Sequence, residues 1–496
     1  MQLIISRTEI NLNFLDFFKK HSGAVSTQVK ASTAYTICSV LQRCLSFITL
    51  PVFARILSTD EYGLATIYSS TMAILIIFTS LQLPFGSFDT AMMKYEDDRK
   101  GYMSSVNGLC TLLTLIYYII YIPFRGLWND LLDLPTILML VMGVEMLMST
   151  AINFWTAKAR FEYEYKKVVF LTLFQSMATT GLSIFAVLIA HENKGLIKVL
   201  AFSAVVIAIG TLVYVKSIVE GKKFYNKEYW KYALSFNIPL VPYYVSQMIF
   251  NQSDRLMINK ICGRSDAAKY GVAYTLAIIL NFILTAINGS YTPWLYRQIK
   301  ERKFEANKKV SLAIAVLMAF LLLGVIALAP EIIFILAGAK YAEAIWVVPP
   351  VAMSLIFLFY TQLFANIEFY FEEKYYLAAG SILSAVTNIV LNAWLIPIYG
   401  YVAAGYTTLF SFMLFALCNY WCMVKVCKKR EMDYHIYDLK ALIILALVFM
   451  GLGFILTCLY SYILARLVLV GIVLLTMIVF HKQIIQLVKR YLAYFS

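Results

Sequence analysis

The stretch PVFARILSTDEYGLATIYSS, Pro51 to Ser70, closes one long apolar run and opens another across a short polar turn that holds the pair Tyr62-Gly63. A second stretch, GRSDAAKYGVAYTLA from Gly263 to Ala277, does the same and holds the pair Tyr270-Gly271, 208 positions later. The alignment set by these turns continues downstream. GSFDTAMMKYEDDRK from Gly86 matches GSYTPWLYRQIKERK from Gly289, FEYEYKKVVF from Phe161 matches FEEKYYLAAG from Phe371, and Gly195 falls over Gly405, all at offsets between 203 and 210. Matches in order at nearly one offset indicate duplication.

What is duplicated is a membrane unit. Of the 496 residues, 61% are hydrophobic and 14% charged, with mean hydropathy +0.75; a soluble domain is nearer half apolar and a quarter charged. Apolar runs of roughly 20 residues, enough to cross a bilayer as helices, recur along the whole chain. About fourteen are expected, near 32–56, 62–88, 102–124, 133–156, 167–190, 196–219, 232–260, 270–294, 308–329, 342–368, 376–397, 402–426, 439–459 and 463–484. EIIFILA, 331–337, is too short to span and is expected at an interface.

The fold class is therefore all-α and polytopic. Six helices per unit, an even number, give two lobes of one orientation around a central cavity, the parallel-repeat arrangement. The expected division is an N-terminal arm 1–31, an N-lobe 32–219, a linker 220–231, a C-lobe 232–427, and a segment 428–496 with the last two helices and the tail.

Basic residues set the orientation. With the arm cytoplasmic, 31 of the 42 Lys and Arg fall on the inward side, as the positive-inside rule requires for both termini inside. The net charge of +14 thus reports topology and attraction to anionic lipid rather than nucleic-acid binding. The first 25 residues lack a continuous apolar core, so no cleaved leader is expected; Leu12, Phe14, Leu15, Phe17 and Phe18 fit a helix lying on the inner leaflet.

Charges inside hydrocarbon cost a few kcal/mol and should face a wet interior. Segment one carries Ser32, Thr36, Ser39, Arg43 and Ser46 on one helical face, with Arg43 ~17 Å from the inner end. Segment seven carries Gln247, Asn251, Asp254 and Arg255; segment eight carries Asn281, Thr285, Asn288 and Thr292. Stripes on these helices fit a lined cavity, although Ser, Thr and Asn also pack helices together in membranes. Asp254 and Arg255 fit an interfacial ion pair as well as a substrate contact, and Glu145, mid-helix in segment four, fits a proton carrier or a structural partner. Pro51, Pro84, Pro239, Pro242 and Pro293 interrupt lining helices and suit a gate.

No enzyme motif is present. There is no phosphate-binding Gly-Lys-Ser/Thr loop and no His-Glu-x-x-His helix, and the four histidines are scattered. Cys418, Cys422 and Cys427 lack further ligands and read as packing residues, so no metal or cofactor is expected.

LPVFARILSTDEYGLA at 50–65 and NQSDRLMINKICGRSDAAKYGVAYTLA at 251–277 resemble the turn patterns of polysaccharide flippases of the Wzx type, in the multidrug/oligosaccharidyl-lipid/polysaccharide (MOP) exporter superfamily. The resemblance implies a bacterial cytoplasmic (inner) membrane protein. Its implied work is to move undecaprenyl-diphosphate-linked oligosaccharide repeat units (O-antigen, capsule or exopolysaccharide) to the outer leaflet by alternating access. It implies lipid-linked oligosaccharide and membrane lipids as partners, with the polysaccharide polymerase and chain-length machinery beside them. The chemistry agrees: Arg43 offers a permanently charged fork for phosphate oxygens, and Ser39, Ser46, Gln247, Asn251, Asn281 and Asn288 offer donors and acceptors to sugar hydroxyls. Within the superfamily the rivals are an ion-coupled multidrug exporter, with Glu145 or Asp254 as ion site, and a peptidoglycan-precursor flippase. From another class, a membrane glycan polymerase or ligase would want a large outer catalytic loop.

Overall fold

A computed structural model describes residues 27–371, 373–468 and 471. The arm through Ser26, including its expected surface helix, and most of segment fourteen lie outside the described residues. The chain forms α1 (Thr27–Ile56), α2 (Thr59–Ser80), α3 (Phe88–Lys94), α4 (Arg99–Tyr121), α5 (Arg125–Leu132), α6 (Thr136–Phe161), α7 (Tyr165–Ile189) and α8 (Lys194–Gly221). It continues with α9 (Lys227–Asn237), α10 (Val241–Cys262), α11 (Arg264–Ala277), α12 (Asn281–Lys300), α13 (Phe304–Ala337), α14 (Val348–Tyr370), α15 (Lys374–Tyr399), α16 (Ala403–Lys429) and α17 (Leu439–Cys458). No strand occurs among the described residues.

Among the described residues, eleven helical segments are long and apolar enough to cross a membrane. With α1 and the more polar α10 added, at 30 and 22 residues, every expected segment but the last is matched by helix. The duplication is visible in the packing: α1 on α7, α6 on α8 and α7 on α8 in the first lobe correspond to α10 on α15, α14 on α16 and α15 on α16 in the second. α17 lies against α13 and α14. Between lobes, α2 packs on α10 and α11, and α1 reaches α13.

Several boundaries differ from the sequence expectation. EIIFILA is no separate interfacial piece, because α13 runs on through Pro330 to Ala337. Segment seven is split: α9 ends at Asn237, Ile238–Leu240 forms a 3₁₀ turn, and α10 starts afresh. Pro239 and Pro242 fall at that restart, where a missing N–H costs nothing, so Pro242 begins a helix rather than bending one. Segment two ends at Ser80, and Pro84 sits in the turn beyond it rather than inside a helix. Pro51 and Pro293 do lie inside α1 and α12. Segment eight breaks at the 3₁₀ turn Ile278–Leu280, well before Pro293.

Candidate functional site

The repeated turns are where the lobes meet. Ser58 caps α2 in a capping box: its Oγ accepts from the Glu61 N–H at 3.2 Å, and the Glu61 carboxylate accepts from the Ser58 N–H at 2.9 Å. Glu61 also accepts from the Lys194 N–H at the start of α8, at 2.9 Å. Gly63 answers a different need, since a Cβ there would stand 2.2 Å from the Arg264 carbonyl oxygen across the seam. Gly271 mirrors it from the other lobe, its Cβ position 3.2 Å from Thr66 Cγ2. Each Tyr-Gly pair therefore marks a close approach of α2 to α11.

Polar contacts fasten the same end. The Arg264 guanidinium forks onto the Asp133 carboxylate at 2.6 and 2.7 Å, Ser265 Oγ bonds to Thr59 Oγ1 at 2.8 Å, and Lys260 Nζ donates to the Asp130 carbonyl at 2.8 Å. Arg55 donates to the Ile335 carbonyl at 2.5 Å, and Lys340 donates back to the Arg55 and Leu57 carbonyls. At the opposite, basic end α12 packs chiefly on α13 and α14 of its own lobe.

Beneath this latch lies a chamber of about 800 Å³ enclosed by α1, α2, α6, α7 and α8, with Thr275 of α11 at its rim. Its polar wall is α7, which presents Thr172, Gln175, Ser176, Thr179, Thr180 and Ser183; their spacing of 3, 1, 3, 1 and 3 keeps them on one face. Gln42 faces them from α1 and donates to Ser176 Oγ at 3.2 Å. From α6 come Glu145, Ser149, Asn153, Thr156 and Arg160. Glu145, 1% exposed, accepts from the Tyr68 and Ser203 hydroxyls at 2.6 Å each. From α8 comes Lys198, whose ammonium stands 4.4 Å from the centre of the Phe53 ring and 4.8 Å from that of Tyr62. Among the described residues it has no ion pair.

The expected site residues are placed variously. Arg43 and Ser46 lie on α1, but their side chains are outside the described residues. Ser39 is exposed, and the chamber face of α1 is Gln42, Leu45 and Thr49. Gln247, Asn251, Asn281 and Asn288 belong to the second lobe and do not line this chamber. Gln247 donates to Ser381 Oγ at 2.8 Å, Asn251 to the Gln247 carbonyl at 2.7 Å, and Asn288 accepts from Asn366 at 2.9 Å; among the described residues Asn281 Oδ1 is buried without a partner.

Asp254 and Arg255 do not pair with each other. Adjacent positions on a helix point about 100° apart, so Asp254 turns into the second lobe and Arg255 towards the seam. Asp254 accepts from Tyr270 Oη at 2.5 Å, Asn392 Nδ2 at 2.6 Å and Thr408 Oγ1 at 2.8 Å. Arg255 donates to Gln252 Oε1 at 2.7 Å and lies 4.7 Å from the centre of the Tyr274 ring. Sequence reasoning missed the α7 ladder, Lys198 and Glu368. The ladder's period was readable in FLTLFQSMATTGLSIF; Lys198 and Glu368 gave no local signal, each sitting close to a loop.

Comparison with known proteins supplies the context. The family model described as "Polysaccharide biosynthesis protein" matches residues 29–299. The chain is 24% identical over 379 residues to "Lsg locus putative protein 1" of Haemophilus influenzae, covering 73% of this chain and 89% of that protein. It is 24% identical over 322 residues to "Succinoglycan biosynthesis transport protein ExoT" of Rhizobium meliloti, 62% of each chain. Its fold matches the lipid II flippase MurJ in an inward closed conformation, with TM-score 0.68 and 15% identity over 91% of this chain and 99% of that one. It also matches an inward-facing multidrug resistance MATE family transporter of the MOP superfamily, with TM-score 0.58 and 12% identity over 78% and 95%. A duplicated two-lobe membrane bundle, matched by that model over more than half its length, belongs to the polysaccharide biosynthesis protein family and shares its fold with the flippase MurJ and the MATE transporter.

Proposed function

We propose that this protein is a flippase that carries undecaprenyl-diphosphate-linked oligosaccharide units across the bacterial inner membrane for cell-surface polysaccharide synthesis. The carrying observation is the chamber: the hydroxyl and amide ladder of α7 forms one wall among apolar side chains of α1 and α2, and Arg160 is exposed at its basic end. Sugar hydroxyls need such donors and acceptors once water is stripped from them.

In this reading both termini and the basic end are cytoplasmic. The head group enters from the cytoplasm while its polyprenyl tail stays in lipid. The lobes then rock, opening the latch and closing the basic end, and the head leaves outward. Arg43 on α1 contributes to diphosphate binding. Asp254 and Glu145 are the carboxyls whose occupancy by an ion or proton would bias the two states, and Pro51 and Pro293 supply bends in α1 and α12. A polymerase and chain-length machinery receive the product.

The test is transfer in proteoliposomes of a synthetic undecaprenyl-diphosphate oligosaccharide, read as its exposure to a glycosidase on the far side. Ser176→Trp, which fills the chamber beside Gln42, is expected to slow transfer at least tenfold. A wild-type rate equal to that of protein-free liposomes rejects the proposal.

A further inference from the structure

Among the described residues two cations border the chamber, and both sit over rings of one helix. Arg160 lies 5.6 Å from the centre of the Tyr35 ring at the basic end, and Lys198 lies 4.4 Å from the centre of the Phe53 ring beneath the latch. Tyr35 and Phe53 both belong to α1, eighteen residues apart; at 1.5 Å per residue these two positions stand about 27 Å apart along the helix, with one cation beside each ring. A diphosphate is far too short to reach both. Between them runs the hydroxyl and amide ladder of α7, from Thr172 to Ser183.

Cation–π contacts supply no counter-charge and leave the N–H donors of the lysine for a ligand. The carboxylate on the chamber wall between the two cations is Glu145. Its Oε2 accepts from both the Tyr68 and the Ser203 hydroxyls, and among the described residues no ion pair joins it to Lys198.

We propose that the oligosaccharide carried is acidic: the lipid diphosphate stays near Arg160, and an anionic group on a sugar several residues away, such as a uronic acid carboxylate, reaches Lys198. This rests on the flippase reading above and names the substrate class within it. Lys198 is then the residue that distinguishes acidic from neutral repeat units.

The experiment compares two synthetic undecaprenyl-diphosphate tetrasaccharides in proteoliposomes, one ending in glucuronic acid and one ending in glucose. Wild-type protein is expected to move the acidic compound about tenfold faster. Lys198→Met is expected to abolish the roughly tenfold preference for the acidic compound, its folding checked by an unchanged melting temperature in detergent; Lys198→Arg is expected to keep the preference. Equal wild-type rates for the two compounds overturn the proposal. So does a Lys198→Met variant that slows both alike, the result expected if the lysine served the diphosphate or the latch. Failure of wild-type protein to move either compound overturns the flippase reading itself.

Discussion

Asp254 and Glu368 are both carboxyls sealed inside the second lobe, and their surroundings are opposite. Asp254 has three donors, from Tyr270, Asn392 and Thr408. Glu368 is 0% exposed, and among the described residues neither of its oxygens has a hydrogen-bond partner. Removing a buried acceptor strands its donors, so Asp254→Ala is expected to destabilise the protein by about 3 kcal/mol or more. Glu368→Met strands no described partner and removes a buried ionisable group, so its melting temperature in detergent should equal or exceed that of the wild type. A loss for Glu368→Met as large as for Asp254→Ala would show that Glu368 has an essential partner. At this scale the sequence was only partly legible. Asp254 stands out inside an apolar run, whereas Glu368 reads as the first of the acids in IEFYFEEK, and Lys198 as an outward-loop residue close behind Lys194. Only packing reveals that the lysine's neighbours are rings rather than water.

Among the elements, α2 and α11 carry the greatest constraint, because a side chain at position 63 has no room. Gly63→Val is expected to force the starts of these helices apart. Arg264→Ala should weaken the same closure by removing the fork onto Asp133. In both variants a cysteine at Thr49, on the chamber wall, should gain reactivity towards impermeant reagents added on the latched side. Unchanged labelling would show that the latch does not control access. The helix pairs and the meaning of the two Tyr-Gly turns were readable in sequence through the repeat. The breaks were less so. α2 stops because Leu81 and Gln82 take the left-handed region, at φ 46° and 50°, without a glycine to announce it. The break at Ile278–Leu280 carries neither proline nor glycine.

For the whole molecule, duplication and charge asymmetry together make a topological prediction. A fluorescent protein fused after Ser496 should be bright if that end is cytoplasmic, and an alkaline phosphatase fused there should be inactive; the reverse result would invert the membrane orientation. The seam also has a consequence of its own. α9 is bound to the first lobe through Asn237 to Ser87 at 2.6 Å, Trp230 to the Ser105 carbonyl at 2.8 Å and Tyr229 to Asp98 at 2.8 Å, whereas α10 is bound to α15 through Gln247 and Ser381. The join between the halves is thus the three-residue turn Ile238–Leu240, not the loop ahead of α9. Two polypeptides divided at that turn and co-expressed should complement each other in the cell, each leaving the ribosome with its own anchors. A division ahead of α9 would hand that helix to the wrong fragment.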